Sequence, residues 1–193
     1  MSPSAQNMGQ KHIAIYAGSF DPITYGHLDV LARARCLFDS IVLGIGINPE
    51  KSPMFSLEER VTMARTLVEE IVRKDPDQAP VTVEHYHGLT VDFATARGAS
   101  AILRGIRNIT DLADECQLAV TNRHVADIET IFIFTAEQYA FTSSSLIRQI
   151  AAMGGPLERL SYILPPLVLE QLTIKQQDPD SPLTRMAHDQ HID

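Results

Sequence analysis

Gly18-Ser19-Phe20-Asp21-Pro22-Ile23-Thr24-Tyr25-Gly26-His27 stands between an apolar run, His12 to Ala17, and a segment of helical period, Leu28 to Phe38. Two glycines, a proline and a histidine at the junction of a first strand and a first helix describe a loop shaped to meet a ligand. In open parallel sheets ligands bind beyond the carboxyl ends of the strands, and the loop after the first strand is the usual phosphate contact. Gly18 is expected to let the backbone turn sharply off the strand. Asp21-Pro22 fixes a turn, and Gly26 clears space beside His27 in the first helical turn. Free N–H groups and the positive end of the helix dipole then face the same space as the His27 imidazole. The loop carries neither the G-x-x-x-x-G-K-[ST] of a Walker loop nor the G-x-G-x-x-G of a dinucleotide fold.

Beyond this loop, short β-branched runs alternate with longer segments of helical period. That pattern predicts an α/β protein: a single-domain, Rossmann-like, doubly wound fold with a five-stranded parallel sheet. Strands are expected at His12–Ala17, Ser40–Ile47, Val81–His85, Ala101–Leu103 and Glu129–Phe134. Helices are expected at Gly26–Phe38, Leu57–Arg73, Val91–Arg97, Asp111–Val125, Ser143–Met153 and around Leu167–Leu172. Ser56 followed by Glu59 reads as a capping box for the second of these. The domain spans residues 12–175, with residues 1–11 as a flexible N-terminal extension. The tail from 176 to 193 has lost its apolar periodicity and carries two prolines, so it is expected to be loosely ordered.

At 193 residues and 45% hydrophobic, the chain fits one globular domain with a sizeable core. Sixteen Lys plus Arg against 24 Asp plus Glu give a net charge of −8. This balance argues against nucleic-acid binding through overall basicity and leaves room for a basic cluster inside one pocket. The polar N-terminus lacks an apolar signal core, and no run approaches about 18 uninterrupted apolar residues, so a cytoplasmic protein without a membrane span is expected. Cys36 and Cys116 fall inside helical patterns, which suits buried thiols in a reducing compartment. His85 and His87 share one face of a strand, but no Cys or acidic residue follows at zinc spacing, and no metal site is assigned there.

Thr24-Tyr25-Gly26-His27 matches the T/H-x-G-H signature of the nucleotidyltransferase superfamily. Four further stretches fall after strand ends, where one pocket can collect them: Asn48 to Arg60 ("NPEKSPMFSLEER"), Leu103 to Arg107 ("LRGIR"), Asp111 through Glu115 to His124, and Phe141 to Ser145 ("FTSSS"). Lys51 sits on a Pro-flanked loop, a point charge where a phosphate can be met. Arg104 and Arg107 offer fork-shaped donors for phosphate oxygens, or pair with acidic neighbours on the surface. Glu115 can accept from a ribose hydroxyl or hold an arginine. Three serines opening a helix bring hydroxyl and N–H groups together on an anion.

With these stretches, the sequence resembles the bacterial phosphopantetheine adenylyltransferases from about residue 12 to about residue 173. The resemblance implies transfer of AMP from ATP to 4′-phosphopantetheine, with Mg²⁺ assisting, pyrophosphate leaving and no covalent enzyme intermediate. Carried over position by position, His27 would donate to the α-phosphate, and Ser19 and Phe20 would touch both substrates. Lys51 and Arg104 would hold the phosphate of phosphopantetheine, with Thr90 close to its pantetheine arm. Gly105, Ile106, Arg107, Glu115, Tyr139, Ala140, Phe141, Thr142, Ser143, Ser144 and Ser145 would line the ATP site. Thr90 stands where an apolar residue is frequent, and Thr142 where isoleucine is usual. A homohexamer and feedback inhibition by coenzyme A are implied in the same way. The rivals are an adenylyl- or cytidylyltransferase for another phosphorylated acceptor, against which "LRGIR" and "FTSSS" speak, and a non-catalytic nucleotide sensor on the same fold. Intact Ser19, His27, Lys51, Arg104 and Arg107 speak against the sensor.

Overall fold

The computed structural model describes residues 11–47 and 53–183. Lys51 and most of the N-terminal extension lie outside the described residues, as does the tail from 184 onward. Five strands, β1 (Ile13–Gly18), β2 (Ser40–Gly46), β3 (Val81–Tyr86), β4 (Ala101–Ile106) and β5 (Glu129–Phe134), form one parallel sheet in the order β3-β2-β1-β4-β5. Six helices accompany them: α1 (Tyr25–Ala34), α2 (Leu57–Lys74), α3 (Thr90–Ala96), α4 (Ile109–Ala126), α5 (Ser144–Ala152) and α6 (Pro166–Gln177).

The central strands read as continuous apolar runs because both of their faces are covered. Ala14, Tyr16, Ile41, Leu43 and Leu103 enter the main core together with residues of α1, α2, α5 and α6. Their neighbours Ile15, Ala17, Val42 and Ile102 point the other way, into a smaller core with Val91, Phe93 and Ala94 of α3. The capping box of α2 forms as the sequence suggests: Glu59 N–H donates to Ser56 Oγ at 3.2 Å and Ser56 N–H to Glu59 Oε2 at 2.7 Å. Buried Arg35 closes the turn between α2 and β3 by donating to the carbonyls of Ile71, Asp75, Gln78 and Ala79.

Four expectations need correction. β4 continues past Leu103 to Ile106, because β5 pairs with it through Arg104–Phe132, Gly105–Ile133 and Ile106–Phe134. The last helix is longer than the Leu167–Leu172 core of its pattern and runs to Gln177, because Gln176 Nε2 donates to the carbonyls of Ala151 and Gly155 and Lys175 Nζ meets Glu59 Oε1 at 3.0 Å. The described start of the tail is packed as well, with Ser181 and Leu183 buried. Both cysteines are free but exposed: Cys36 lies in the turn after α1, and α4, which carries Cys116, buries none of its residues. Among the described residues no helix is long and apolar enough to cross a membrane.

The chain runs from β1 outward through β2 to β3, then crosses over to place β4 on the other side of β1. The direction of winding therefore reverses between β1 and β4, and a crevice opens beyond their carboxyl ends.

Candidate active site

That crevice is a cleft of about 350 Å³, lined from β1 by Tyr16 to Gly18, from the first loop by Ser19, Phe20 and Thr24, and from α1 by Gly26 and His27. β4 and its extension supply Arg104, Gly105 and Arg107, and Thr142 to Ser145 close the opposite side. Phe20, not a glycine, takes the left-handed conformation, with φ of 46°, a strain of about 1–3 kcal/mol that persists only when the surroundings impose it. A Cβ on Gly18 would lie 3.1 Å from the Phe20 ring, so that glycine makes room for the ring. The ring in turn sits edge-on to Tyr16 and His27, with centroids at 5.3 and 5.1 Å.

Two helix N-termini converge here. Tyr25 N–H is taken by the Ile163 carbonyl at 3.0 Å. The backbone N–H groups of Ser144 and Ser145, in the first turn of α5, have no hydrogen-bond partner among the described residues. Such groups, together with the helix dipole, favour an anion. Ser143 caps α5 by accepting from Leu146 N–H, and Ser144 Oγ donates to the Pro22 carbonyl at 3.0 Å, which ties α5 to the first loop.

The Thr24 backbone N–H donates to His27 Nδ1 at 3.0 Å, as the return half of a capping box at the start of α1. A ring nitrogen that accepts carries no proton, so the imidazole proton is assigned to Nε2. Burial lowers the His27 pKa from 6.5 to about 4, and the positive charges of Arg107 and Arg104 push the same way. At neutral pH this histidine is an uncharged donor through Nε2.

Arg104 projects from the end of β4 and grips Glu115 of α4 with Nε at 2.7 Å and with Nη2, while Nη1 donates to the Ala17 carbonyl at 2.6 Å. Arg107, just past the end of β4, repeats the arrangement with the carboxylate one α4 turn earlier, holding Asp111 with Nε at 2.7 Å and Nη2 at 2.9 Å, and the Thr142 carbonyl with Nη1 at 2.7 Å. Each guanidinium thus spends three of its five N–H groups inside the protein and keeps two for a ligand. Burial raises the pKa of the Tyr16 phenol beside Arg104, so it stays protonated.

Thr142 is 5% exposed, and its hydroxyl has no partner among the described residues. An unpaired buried hydroxyl carries an uncompensated desolvation cost. Thr142→Val keeps the shape and removes that cost. It is expected to stabilise the protein by about 1 kcal/mol, or about 2–4 °C in Tm, read by thermal denaturation. A lowered Tm would show that the hydroxyl has a partner.

Of the residues expected at the site, Ser19, Phe20, His27, Arg104, Gly105, Arg107, Glu115, Tyr139, Thr142, Ser143, Ser144 and Ser145 line the cleft. Ile106 does not: it is fully buried, and its carbonyl accepts from Thr135 N–H. Phe141 is 93% exposed, and neither it nor Ala140 lines the cleft. Thr90 lies in an adjoining crevice of about 70 Å³ with Arg104, Glu115, Leu118, Asn122 and Thr130. Sequence reasoning missed Tyr16, Asp114 and the partner role of Asp111. The i, i+4 spacing of Arg107 and Asp111 was the one local signal for the last.

A family model described as cytidylyltransferase-like matches residues 15–150. The phosphopantetheine adenylyltransferase of Frankia alni is 45% identical over 161 residues, covering 82% of this chain and 94% of that protein. The chain belongs to the phosphopantetheine adenylyltransferase family. Other family members are similarly close: that of Moorella thermoacetica is 44% identical, covering 85% of this chain and 96% of its own, and that of Synechocystis sp. is 40% identical, covering 86% and 99%. The shared fold reaches further than the phosphopantetheine adenylyltransferases. The nicotinic acid mononucleotide adenylyltransferase of Plasmodium falciparum superposes with a TM-score of 0.63 over 90% of this chain and all of that one, at 20% identity.

Proposed function

We propose that this chain transfers AMP from ATP to the phosphate of 4′-phosphopantetheine, giving dephospho-coenzyme A and pyrophosphate. The observation that carries the mechanism is a neutral His27 with its proton on Nε2, set between two arginines and two helix N-termini. An oxygen of the acceptor phosphate attacks the α-phosphorus of ATP; the new P–O bond forms as the bond to the bridging oxygen breaks, and pyrophosphate leaves. The nucleophile arrives as an anion, so the protein's work is in-line positioning and stabilisation of charge at the α-phosphate. His27 donates to an α-phosphate oxygen. The open N–H groups of Ser144 and Ser145 and the spare donors of Arg107 take the β- and γ-phosphates, with Glu115 and Tyr139 to Ser145 around the rest of the nucleotide. The Ser19–Phe20 backbone lies between the substrates, and Arg104 with Lys51 holds the acceptor phosphate. The pantetheine arm begins at the crevice by Thr90, whose hydroxyl is 2.7 Å from that of Tyr86.

The described residues offer no group of three metal-ligating side chains. Asp111 and Glu115 already serve Arg107 and Arg104. A protein cage for Mg²⁺ does not fit this donor set; an ion arriving with ATP would be carried by phosphate oxygens and water.

The same reading includes a homohexamer, inhibition by coenzyme A and a cytoplasmic location. α4 supports the first, because it buries no residue and exposes Ile109, Leu118, Val120 and Val125 beside Ile131 and Phe134 of the edge strand. Val120, 71% exposed, is the place to test it: Val120→Asp is expected to shift the sedimenting species from hexamer to smaller forms, and a monomeric wild type would overturn the assembly. Coenzyme A contains both the adenylyl and the pantetheine parts of the product and would compete for the cleft. Two exposed free thiols fit a reducing compartment.

The test of the activity is pyrophosphate release from ATP and Mg²⁺ with 4′-phosphopantetheine, nicotinamide mononucleotide or glycerol 3-phosphate as acceptor, the last also with CTP. Release with 4′-phosphopantetheine alone is expected. Release with another acceptor alone would reassign the substrate, and ATP binding without any release would make the protein a sensor.

A further inference from the structure

Behind the cleft the fold buries two opposite charges that the mechanism above does not use. Arg60 of α2 and Asp21 of the first loop are each 4% exposed. Arg60 Nη1 donates to the Ser19 carbonyl at 2.8 Å and to the Gly46 carbonyl at 3.3 Å, and its Nε has no partner among the described residues. Asp21 accepts the N–H groups of Met54 and Phe55, both at 2.9 Å, and Arg148 Nη1 of α5 lies 3.6 Å from the same carboxylate. Burial lowers the Arg60 pKa from the ordinary guanidinium value, and the Asp21 charge opposes that shift.

A buried, incompletely paired ion is a poor source of stability, since an apolar side chain of similar volume commonly does as well or better. What these two ions do reach is the backbone that shapes the cleft. The Ser19 carbonyl immediately precedes Phe20, whose left-handed conformation needs external support. The Gly46 carbonyl closes β2, Met54 and Phe55 lead into α2, and Arg148 belongs to the helix whose N-terminus faces the site. One carboxylate and one guanidinium thus join the segments after β1, after β2 and on α5.

We propose that Arg60 and Asp21 are positioning residues for nucleotide transfer: they hold the Ser19–Phe20 backbone so that His27 and the α5 N-terminus surround the reacting phosphate. The inference rests on the reading of the cleft as an adenylyl-transfer site. Neither side chain touches substrate. They act by keeping the donors within the narrow tolerance that in-line transfer requires, where a displacement of about 1 Å costs about 10²-fold in rate.

The experiment compares wild type, Arg60→Met, Arg60→Lys and Arg148→Met as full chains. It measures kcat and KM with ATP and 4′-phosphopantetheine, the Kd for ATP by calorimetry and the folded fraction by thermal denaturation. Arg60→Met is expected to lower kcat per folded molecule by about 30-fold or more, with the ATP Kd held within about threefold. Arg60→Lys keeps the charge but not the fork across two carbonyls, and is expected to recover only part of that loss. Should Arg60→Met not fold, Arg60→Lys and Arg148→Met decide the matter, each with an expected fall in kcat of about three- to tenfold at unchanged ATP Kd. A wild type that turns over, with variants equal to it per folded molecule, would overturn the positioning role alone. A wild type that transfers AMP to no acceptor would overturn the site reading and this inference with it.

Discussion

Replacing His27 by alanine is expected to lower kcat by about 10²–10³, the usual cost of deleting one donor aimed at developing charge. The same substitution removes the acceptor for Thr24 N–H and so weakens the cap of α1, at a cost of about 1 kcal/mol in stability. The two effects separate on measurement, since Tm reports the cap and kcat of the folded enzyme reports the donor. Near-normal turnover would remove His27 from the chemistry. The pH dependence carries a second check. With a folded pKa of about 4 against an ordinary 6.5, His27 stays neutral through the physiological range, so turnover should show no titration near pH 6.5 from this residue. Its contribution to stability has a fixed sign: the depressed pKa gives stability that is fully present above about pH 6.5 and is lost as pH falls through about 4, because the unfolded chain takes up the proton first. His27→Ala should therefore flatten the stability profile between those values.

Arg104→Met should lower kcat/KM for 4′-phosphopantetheine by about 10², the equivalent of about 2–3 kcal/mol of charge-assisted hydrogen bonding to a phosphate. It also strands Glu115, whose side chain is only 15% exposed and takes two bonds from that guanidinium, so stability should fall by about 2 kcal/mol. Adding Glu115→Gln relieves the stranded charge. The double variant should recover Tm while kcat/KM stays low, and steady-state kinetics beside thermal denaturation of both variants would show it. If kcat/KM survives in Arg104→Met, the arginine serves only to pair Glu115.

Two residues explain why the site was only partly readable before the fold was known. Gly18 marks the sharp turn off β1, but nothing near it in the chain marks Phe20 as the left-handed residue, beside a carbonyl of Ser19 that Arg60 meets from 41 positions away. Arg104 carries no mark of its partner in its own segment: Glu115 lies 11 positions on and meets it only after β4 has paired with β5 and α4 has crossed back. Phe141 shows the converse. It belongs to a motif of neighbours that do line the cleft, but nothing in a run of consecutive residues tells which side chain turns outward.

Local order was legible in this chain: five strands from β-branched runs, six helices from their period, the capping box at Ser56, and a cleft-lining loop at the first strand–helix junction. Those features depend on interactions within a few residues, so a linear string contains their cause. The left-handed Phe20, the paired arginines, the exposure of α4 and the buried contacts of Arg60 and Asp21 depend on contacts between segments as far apart as Asp21 and Met54, 33 positions away. Such contacts exist only once the sheet order has set which loops share one edge.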